Sequence, residues 1–281
     1  LIVSLGTMRI KRQFRRAYAT ALMHAIPNVL TALMLFPLEW ATSTTSADGF
    51  KGGILTRTAR WITNFLDLGS GEKFFNPIKA ITQPVVTAIK DTGEWISEGN
   101  ATAAGVIVAI VGLVILFTAL LGLVKNLKDA LLVKLEGLFT VLIFRNDFLA
   151  WISGIGSTVA VQSSSVTTSL MVPIAGAGAV KLRRVFPFML GCNTGTTVTG
   201  VIAATANPTS GAVIVAISHV IFNFTDNAIW YPFRIIPIRL AKWYSALAMR
   251  RRMYAFIFLA TVFLIVPIIA LIVSELLFFS K

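Results

Sequence analysis

In a chain of 281 residues, 56% are hydrophobic and only 13% charged, at a mean hydropathy of +0.79; soluble domains carry roughly 25% charged residues, so the expected solvent is lipid. The net charge of +13 would suit nucleic acid, but the basic residues collect in short loops between apolar spans, which points to the lipid bilayer as partner and not to nucleic acid. Cys192 is the only cysteine, so neither an internal disulfide nor a thiolate metal cluster can be built.

The expected spanning elements are helices, because several apolar segments approach the roughly 20 residues a helix needs to cross a bilayer and no short alternating barrel strands are visible. Arg9, Lys11, Arg12, Arg15 and Arg16 precede a first span at about Tyr18 to Leu38. It carries His24, Pro27, Asn28 and Pro37, more polar and proline-broken than an anchor requires. Residues 41–100 balance six basic against six acidic side chains and are expected outside, with turn signals at Asp48-Gly49, Gly52-Gly53 and Gly69-Ser70-Gly71 and short amphipathic helices between them. Ala101 to Val124 is a featureless span that ends on Lys125, Lys128 and Lys134.

Beyond it the pattern breaks up. Asp129 to Phe144 and Phe148 to Ala160 are both short of a full span and are joined by the polar turn Arg145-Asn146-Asp147. That is the pattern of a re-entrant hairpin, allowed at membrane depth where protein surrounds it. Then come the polar run Gln162-Ser163-Ser164-Ser165, the apolar Val166 to Val180, and a basic turn at Lys181, Arg183 and Arg184. Val185 to Ala206 is expected to be interrupted by Gly191 to Thr197, and Ala212 to Phe233 and Met253 to Phe279 are the last spans, with a basic loop from Arg234 to Arg252 between them.

An internal repeat lies within this order. An offset of 195 brings His24 onto His219, Ala21 onto Ala216, Ile26 onto Ile221, Asn28 onto Asn223 and Pro37 onto Pro232. By the positive-inside rule the first copy runs outward and the second inward, the inverted-repeat plan of many secondary transporters. The second copy has its polar run 57 residues before His219, whereas only 23 residues precede His24. The first copy's run is therefore expected upstream of Leu1, and a further helix is expected beyond Lys281; the chain opens without Met or a signal-peptide pattern.

The candidate chemistry sits in the two polar runs. Gln162 to Ser165 with Thr167, Thr168 and Ser169 covers every face of a helix, so the side chains cannot all hide by bonding their own backbone. An unwound stretch between half-helices would aim N–H groups and hydroxyls at an anion while Gln162 and freed carbonyls hold a cation; helix-helix glue is the alternative. Gly191 to Thr197 with Thr199 offers Asn and Thr oxygens that suit a hard cation such as sodium and argue against zinc or copper, or else it is a small-residue packing motif. Duplication of His24 with Asn28 and His219 with Asn223 favours interhelical hydrogen bonding. Asp226, an acid inside a span, either faces the bundle interior or pairs with an Arg at the membrane edge. No paired carboxylates, H-E-x-x-H or G-x-S-x-G arrangement supports an enzyme.

The segments VQSSSVTTSLMVPIAGAGAV, RRVFPFMLGCNTGTTVTGVIAA, ISHVIFNF and IWYPF resemble the second repeat of type II sodium-dependent phosphate cotransporters. The resemblance covers Trp151 to Phe279, and more weakly Leu1 to Glu39 through IVSLG and FRRAYATALMH. It implies an all-α polytopic membrane protein of the cell membrane, an inverted-repeat transporter with a re-entrant hairpin and broken helices. It also implies sodium-coupled import of inorganic phosphate by alternating access, without enzymatic activity and without a cofactor beyond sodium as coupling ion. Carried over by position, Ser163, Ser164, Ser165 and Thr168 are phosphate ligands, and Gln162, Ser164, Cys192, Asn193, Thr196 and Thr199 sodium ligands. Cys192 stands where the family usually carries Ser or Ala, and a thiol is a poor sodium ligand. The implied division is 1–40 as the end of the first repeat, 41–100 as the outer loop, 101–128 as a connecting helix, 129–252 as the second repeat and 253–281 as a last helix. Sulfate would fit the same chemistry, and a non-transporting membrane scaffold or sensor would keep the same fold; oligomeric state is not legible.

Overall fold

The computed structural model describes Ser4 and residues 10–68, 77–96, 100, 102–112, 114–115, 118, 143–206, 209–251 and 253–275. Helix α1, Lys11–Ala41, runs 31 residues, a length of about 46 Å at helical rise. Pro27 and Pro37 sit inside it. Its buried side, with Phe14, Tyr18, Leu22, Met23 and Ile26, forms part of the main core together with Phe186, Met189, Leu190 and Ile238.

After α1 a two-stranded hairpin, β1 (Thr44–Thr45) and β2 (Lys51–Gly52), pairs Thr44 with Gly52 and Thr45 with Lys51. Its turn uses Gly49 at φ +80°, a conformation open to glycine at no steric cost. The hairpin leads into α2, Ile54–Phe65. The Glu39 carboxylate accepts from the backbone N–H groups of Gly53, Leu55 and Thr56 at 2.9, 2.8 and 3.2 Å. These are donors that a helix start leaves without intrahelical partners, and the negative charge suits the positive end of the helix dipole. Helix α2 is thereby tied to the end of α1, and it also packs on the later helix Ser210–Trp230. Helix α3, Pro77–Ile96, and the apolar α4, Thr102–Gly112, follow, meeting where Gly93 faces Val108.

The second half is α5 (Asp147–Val161), α6 (Ser164–Ala177), α7 (Leu182–Ala206), α8 (Ser210–Trp230), α9 (Ile235–Arg250), α10 (Met253–Ala260), a π-helical turn at Thr261–Ile265 and α11 (Val266–Ser274). Each of α5, α6 and α8 starts on a polar side chain that caps it: Asn146 accepts from Leu149 N at 2.7 Å, Ser163 from Val166 N at 3.3 Å and Thr209 from Ala212 N at 3.2 Å. Among the described residues, α1, α7 up to Ala204, and α8 are long and apolar enough to cross a membrane.

Three expectations are corrected or fall outside the described residues. Gly191 to Thr197 does not interrupt a span; α7 continues through it as regular helix. The basic stretch after α8 is not a loop but α9, whose buried residues Pro237, Ile238, Ala241, Ser245 and Ala248 lie at helical spacing and pack on α1. The first arm of the expected re-entrant hairpin, residues 129–142, lies outside the described residues; the turn at Arg145 and Asn146 leads into its second arm, α5.

Helix directions follow from the contacts. Gly154 of α5 lies against Phe188 O, Cys192 N and Gly191, and Gly195 of α7 lies against Ile155 O and Thr158, so α5 and α7 run the same way. Gly176 meets Ala17 and Gly178 meets Arg16, while Val172 clusters with Ala17 and Ala21, so α6 runs antiparallel to α1. Leu182 shares a cavity with Arg16 and Asn193 bonds His24 and Asn28, so α7 runs along α1. Thr194 meets Asn227 and Gly200 meets His219, which sets α8 antiparallel to α7 and hence to α1.

Candidate functional site

The chain breaks its helical course between Val161 and Ser164. Gln162 adopts a left-handed conformation at φ 54°, ψ 26°, and Ser163 is extended at φ −154°, ψ 108°. A left-handed non-glycine residue costs about 1–2 kcal/mol, so the surroundings must hold it there. Ser163 caps the restart, and the first backbone bond of α6 is Thr167 N to Ser163 O at 3.1 Å. The amides of Ser164 and Ser165 thus precede the α6 ladder, while the last carbonyls of α5 follow its own. A partly negative helix end and a partly positive one meet across two residues.

Around this break the other elements fall into register. One turn past the Thr158–Gly195 contact, Gln162 on α5 comes level with Thr199 on α7. Continuing the α6–α1 pairing back from Val172 brings Thr168 and Ser165 level with the stretch His24 to Asn28 of α1. Asn193 bridges the remaining pair of walls: its Nδ2 donates to His24 O at 3.2 Å and to Asn28 Oδ1 at 2.9 Å. The junction of α1, α5, α6 and α7 therefore gathers the polar residues singled out in the sequence.

Their exposure divides them. Gln162 and Ser165 are exposed, and Ser163, Ser164, Thr196 and Thr199 are half-buried. Thr168 is 7% exposed, Asn193 3% and Cys192 not at all. Thr196 Oγ1 donates to Cys192 O at 3.0 Å, Thr199 Oγ1 to Thr196 O at 2.7 Å and Thr168 Oγ1 to Ser165 O at 3.3 Å. These hydroxyls keep lone pairs free for a ligand while their protons are occupied. Cys192 is buried at the α5 contact, where the backbone of Gly154 lies against its N–H. Gly191 and Gly195 face α5 at separations that no side chain tolerates, which explains why this run is glycine-rich without unwinding.

A second polar cluster was only half visible in the sequence. Asp226 is fully buried, and Thr31 Oγ1 donates to its Oδ1 at 2.6 Å while accepting from Trp230 Nε1 at 2.8 Å. Its partner is thus a hydroxyl on α1; Arg234 pairs instead with Asp147. Asn227 Nδ2 donates to Thr194 Oγ1 at 2.6 Å, and Asn223 Nδ2 to His219 O at 3.2 Å. Thr31 and Asn227 escaped notice because a lone Thr or Asn in a span is common. The signal was available nonetheless, since the offset that aligns His24 with His219 also aligns Thr31 with Asp226. Among the described residues no cluster of three or more His, Cys, Asp or Glu could hold a metal ion.

Comparison with known proteins places these features. A family model described as Na+/Pi-cotransporter matches residues 115–264. "Sodium-dependent phosphate transport protein 2B" of Bos taurus is 27% identical, over 95% of this chain and 50% of its own length. The 2A protein of Rattus norvegicus is 29% identical over 95% of the chain and 51% of its own length, and the 2C protein of Mus musculus 28% over 96% and 56%. The chain spans about half the length of the curated relatives it matches. No solved structure matches it. The helical fold, with three helices among the described residues able to cross a bilayer, is that of an all-α, multi-pass protein of the cell membrane. The matched segment includes the helix break, the unbroken α7 and Asp226 with Trp230, and on that match the chain belongs to the Na+/Pi-cotransporter family.

Proposed function

We propose that this chain forms half of the translocation site of a sodium-coupled importer of inorganic phosphate that works by alternating access. The observation that carries the reading is the helix break at Gln162 and Ser163, where a carbonyl end and an amide end lie side by side. Free N–H groups and hydroxyls of Ser163, Ser164 and Ser165 would take the phosphate oxygens, joined by Thr168 once its hydroxyl turns from Ser165 O, since phosphate near neutral pH is satisfied by helix N-terminal donors without an Arg. Gln162, Ser164, Thr196 and Thr199, with the last carbonyls of α5, supply oxygens for sodium. Cys192 and Asn193 stand behind this set and hold α7 against α5 and α1. Sodium at the carbonyl end would neutralise and order the break before the anion binds. The names of the relatives, all sodium-dependent phosphate transport proteins, support both ions, and membership of a transporter family favours a carrier over an enzyme.

Two repeats in opposite orientation fit the geometry. Helices α1 and α8 run antiparallel, and Thr31 and Asp226, equivalent under the 195-residue offset, hydrogen-bond each other. Equivalent residues touch where a pseudo-two-fold axis passes between them, so this pair supports an axis beside the site. On this reading 1–40 closes the first repeat, 129–252 is the second, and 41–100, 101–128 and 253–281 are connections and a last helix. Radiolabelled phosphate uptake by the full-length protein in proteoliposomes, with external sodium against choline, tests the reading. Accumulation only with sodium is expected; equal uptake in choline removes the coupling.

A further inference from the structure

The end of the bundle where α1 begins holds a concentration of positive charge that phosphate transport does not use. Two adjoining cavities of about 330 and 360 Å³ lie there, sharing Arg16, Leu182 and Lys242. Three stretches far apart in sequence supply their basic lining: Arg12, Arg15 and Arg16 from α1, Lys181 just before α7 with Arg183 in its first turn, and Lys242 from α9. No acid lines either cavity, and none of the six pairs with a carboxylate among the described residues. Basic residues are expected at this end of any membrane protein, but that rule asks for charge in loops and not for convergence on one groove.

Two details give the groove a built character. Gly178 ends α6 at φ +89°, and the Arg16 guanidinium lies across it where a side chain would stand. The glycine thus both closes the helix and fixes the head of Arg16 at its carbonyl end. Both cavities lie at the first turns of α1 and α7, helices long and apolar enough to cross a membrane, which is the depth of lipid headgroups. A basic groove at that depth matches the anionic head of a lipid.

We propose that this groove binds the headgroup of an anionic glycerophospholipid carrying several phosphates. One phosphate carries about −1.5 to −2 charges, too few to balance six cations brought this close with no carboxylate partner among the described residues. A headgroup with two monoester phosphates besides its diester matches them better, and basic pockets between membrane helices recognise such heads. Charge complementarity and the groove's place at the membrane end of two span-length helices select the lipid over a free anion.

The test uses the full-length protein in phosphatidylcholine nanodiscs containing either phosphatidylinositol bisphosphate or phosphatidylserine at matched charge, with bound lipid read by native mass spectrometry and thermal stability in parallel. The bisphosphate lipid should be retained preferentially and raise Tm. Arg16→Gln with Lys242→Gln should weaken its retention about tenfold, a loss of roughly 1.4 kcal/mol, while Arg250→Gln with Arg251→Gln, outside the groove, should not. Equal loss in the two double variants would mean diffuse charge and overturn the site, as would the same Tm rise from inorganic phosphate or inositol trisphosphate in solution. If the groove variant does not fold, the wild-type comparison decides alone: equal retention of phosphatidylserine overturns the proposal. None of these readouts depends on transport.

Discussion

Two stretches of similar composition, Gln162 to Thr168 and Gly191 to Thr197, take different courses. The first breaks the helix, and the second passes through it as regular helix. Hydroxyls are not the cause, because in both runs Thr side chains bond their own preceding carbonyls, Thr167 to Ser163 O and Thr194 to Leu190 O, each at 3.1 Å. The difference lies in what surrounds the backbone. Gly191 and Gly195 bring α7 into backbone contact with α5, and that packing keeps the helix intact. At Gln162 and Ser163 there is no glycine to admit such an approach, and Ser163 offers a cap for a new helix. A polar run in a membrane helix thus marks a break where a cap is available and close packing is absent.

The sharpest way to break the contrast is Gly191→Leu. A side chain there would collide with Trp151 O, so α5 and α7 must part at a cost of about 3 kcal/mol or more; the expected outcome is loss of the monodisperse protein on size exclusion in detergent. A gentler probe is Gln162→Gly. Glycine accepts the left-handed conformation freely, so thermal stability should stay level or rise by about 1 kcal/mol, while sodium-dependent uptake falls because the amide oxygen is gone. Unchanged uptake would take Gln162 out of the cation set.

The smallest expected effect lies in the β1–β2 hairpin. Asp48 pairs with Arg60, whose guanidinium also lies 4.3 Å from the Phe50 ring centroid. Hydrogen bonding to Arg60 holds the Asp48 carboxyl down from 3.8 to about 2. A depressed carboxylate stabilises above its ordinary pKa and ceases to as pH falls through the lowered one, so the pairing should loosen between about pH 4 and pH 2. Both groups are largely in solvent, and the pair should add little to the stability of the whole protein. A carboxyl-carbon NMR titration of Asp48 checks the window, and Arg60→Gln should return it to the ordinary carboxylate range.

Much of this was legible in the sequence, for reasons that particular residues make plain. Ser163 announced the break because hydroxyls on every face of a helix cannot all be hidden. The proposed repeat rests on His24, Asn28 and Pro37, which recur as His219, Asn223 and Pro232 at one offset. Helix α9 was missed because its basic residues read as a loop, although Pro237, Ile238, Ala241, Ser245 and Ala248 already carried the helical period. The continuity of α7 was missed because two glycines in a polar run signal a break as readily as a tight contact, and only the partner helix decides. Thr31 was invisible alone and obtained its meaning from Asp226, 195 residues away.

The central claim, that the transported ions meet the open residues at the helix break and not the buried hydroxyls of α7, is tested most directly by measuring sodium-dependent phosphate uptake for Ser165→Ala and Thr197→Val side by side. Thr197 is buried with its hydroxyl bonded to Thr194 O at 2.7 Å, whereas Ser165 is exposed at the break. Uptake efficiency should fall about tenfold for Ser165→Ala and stay within about twofold for Thr197→Val, with both proteins equally abundant in the membrane. Equal losses, or a larger loss at Thr197, would contradict the account.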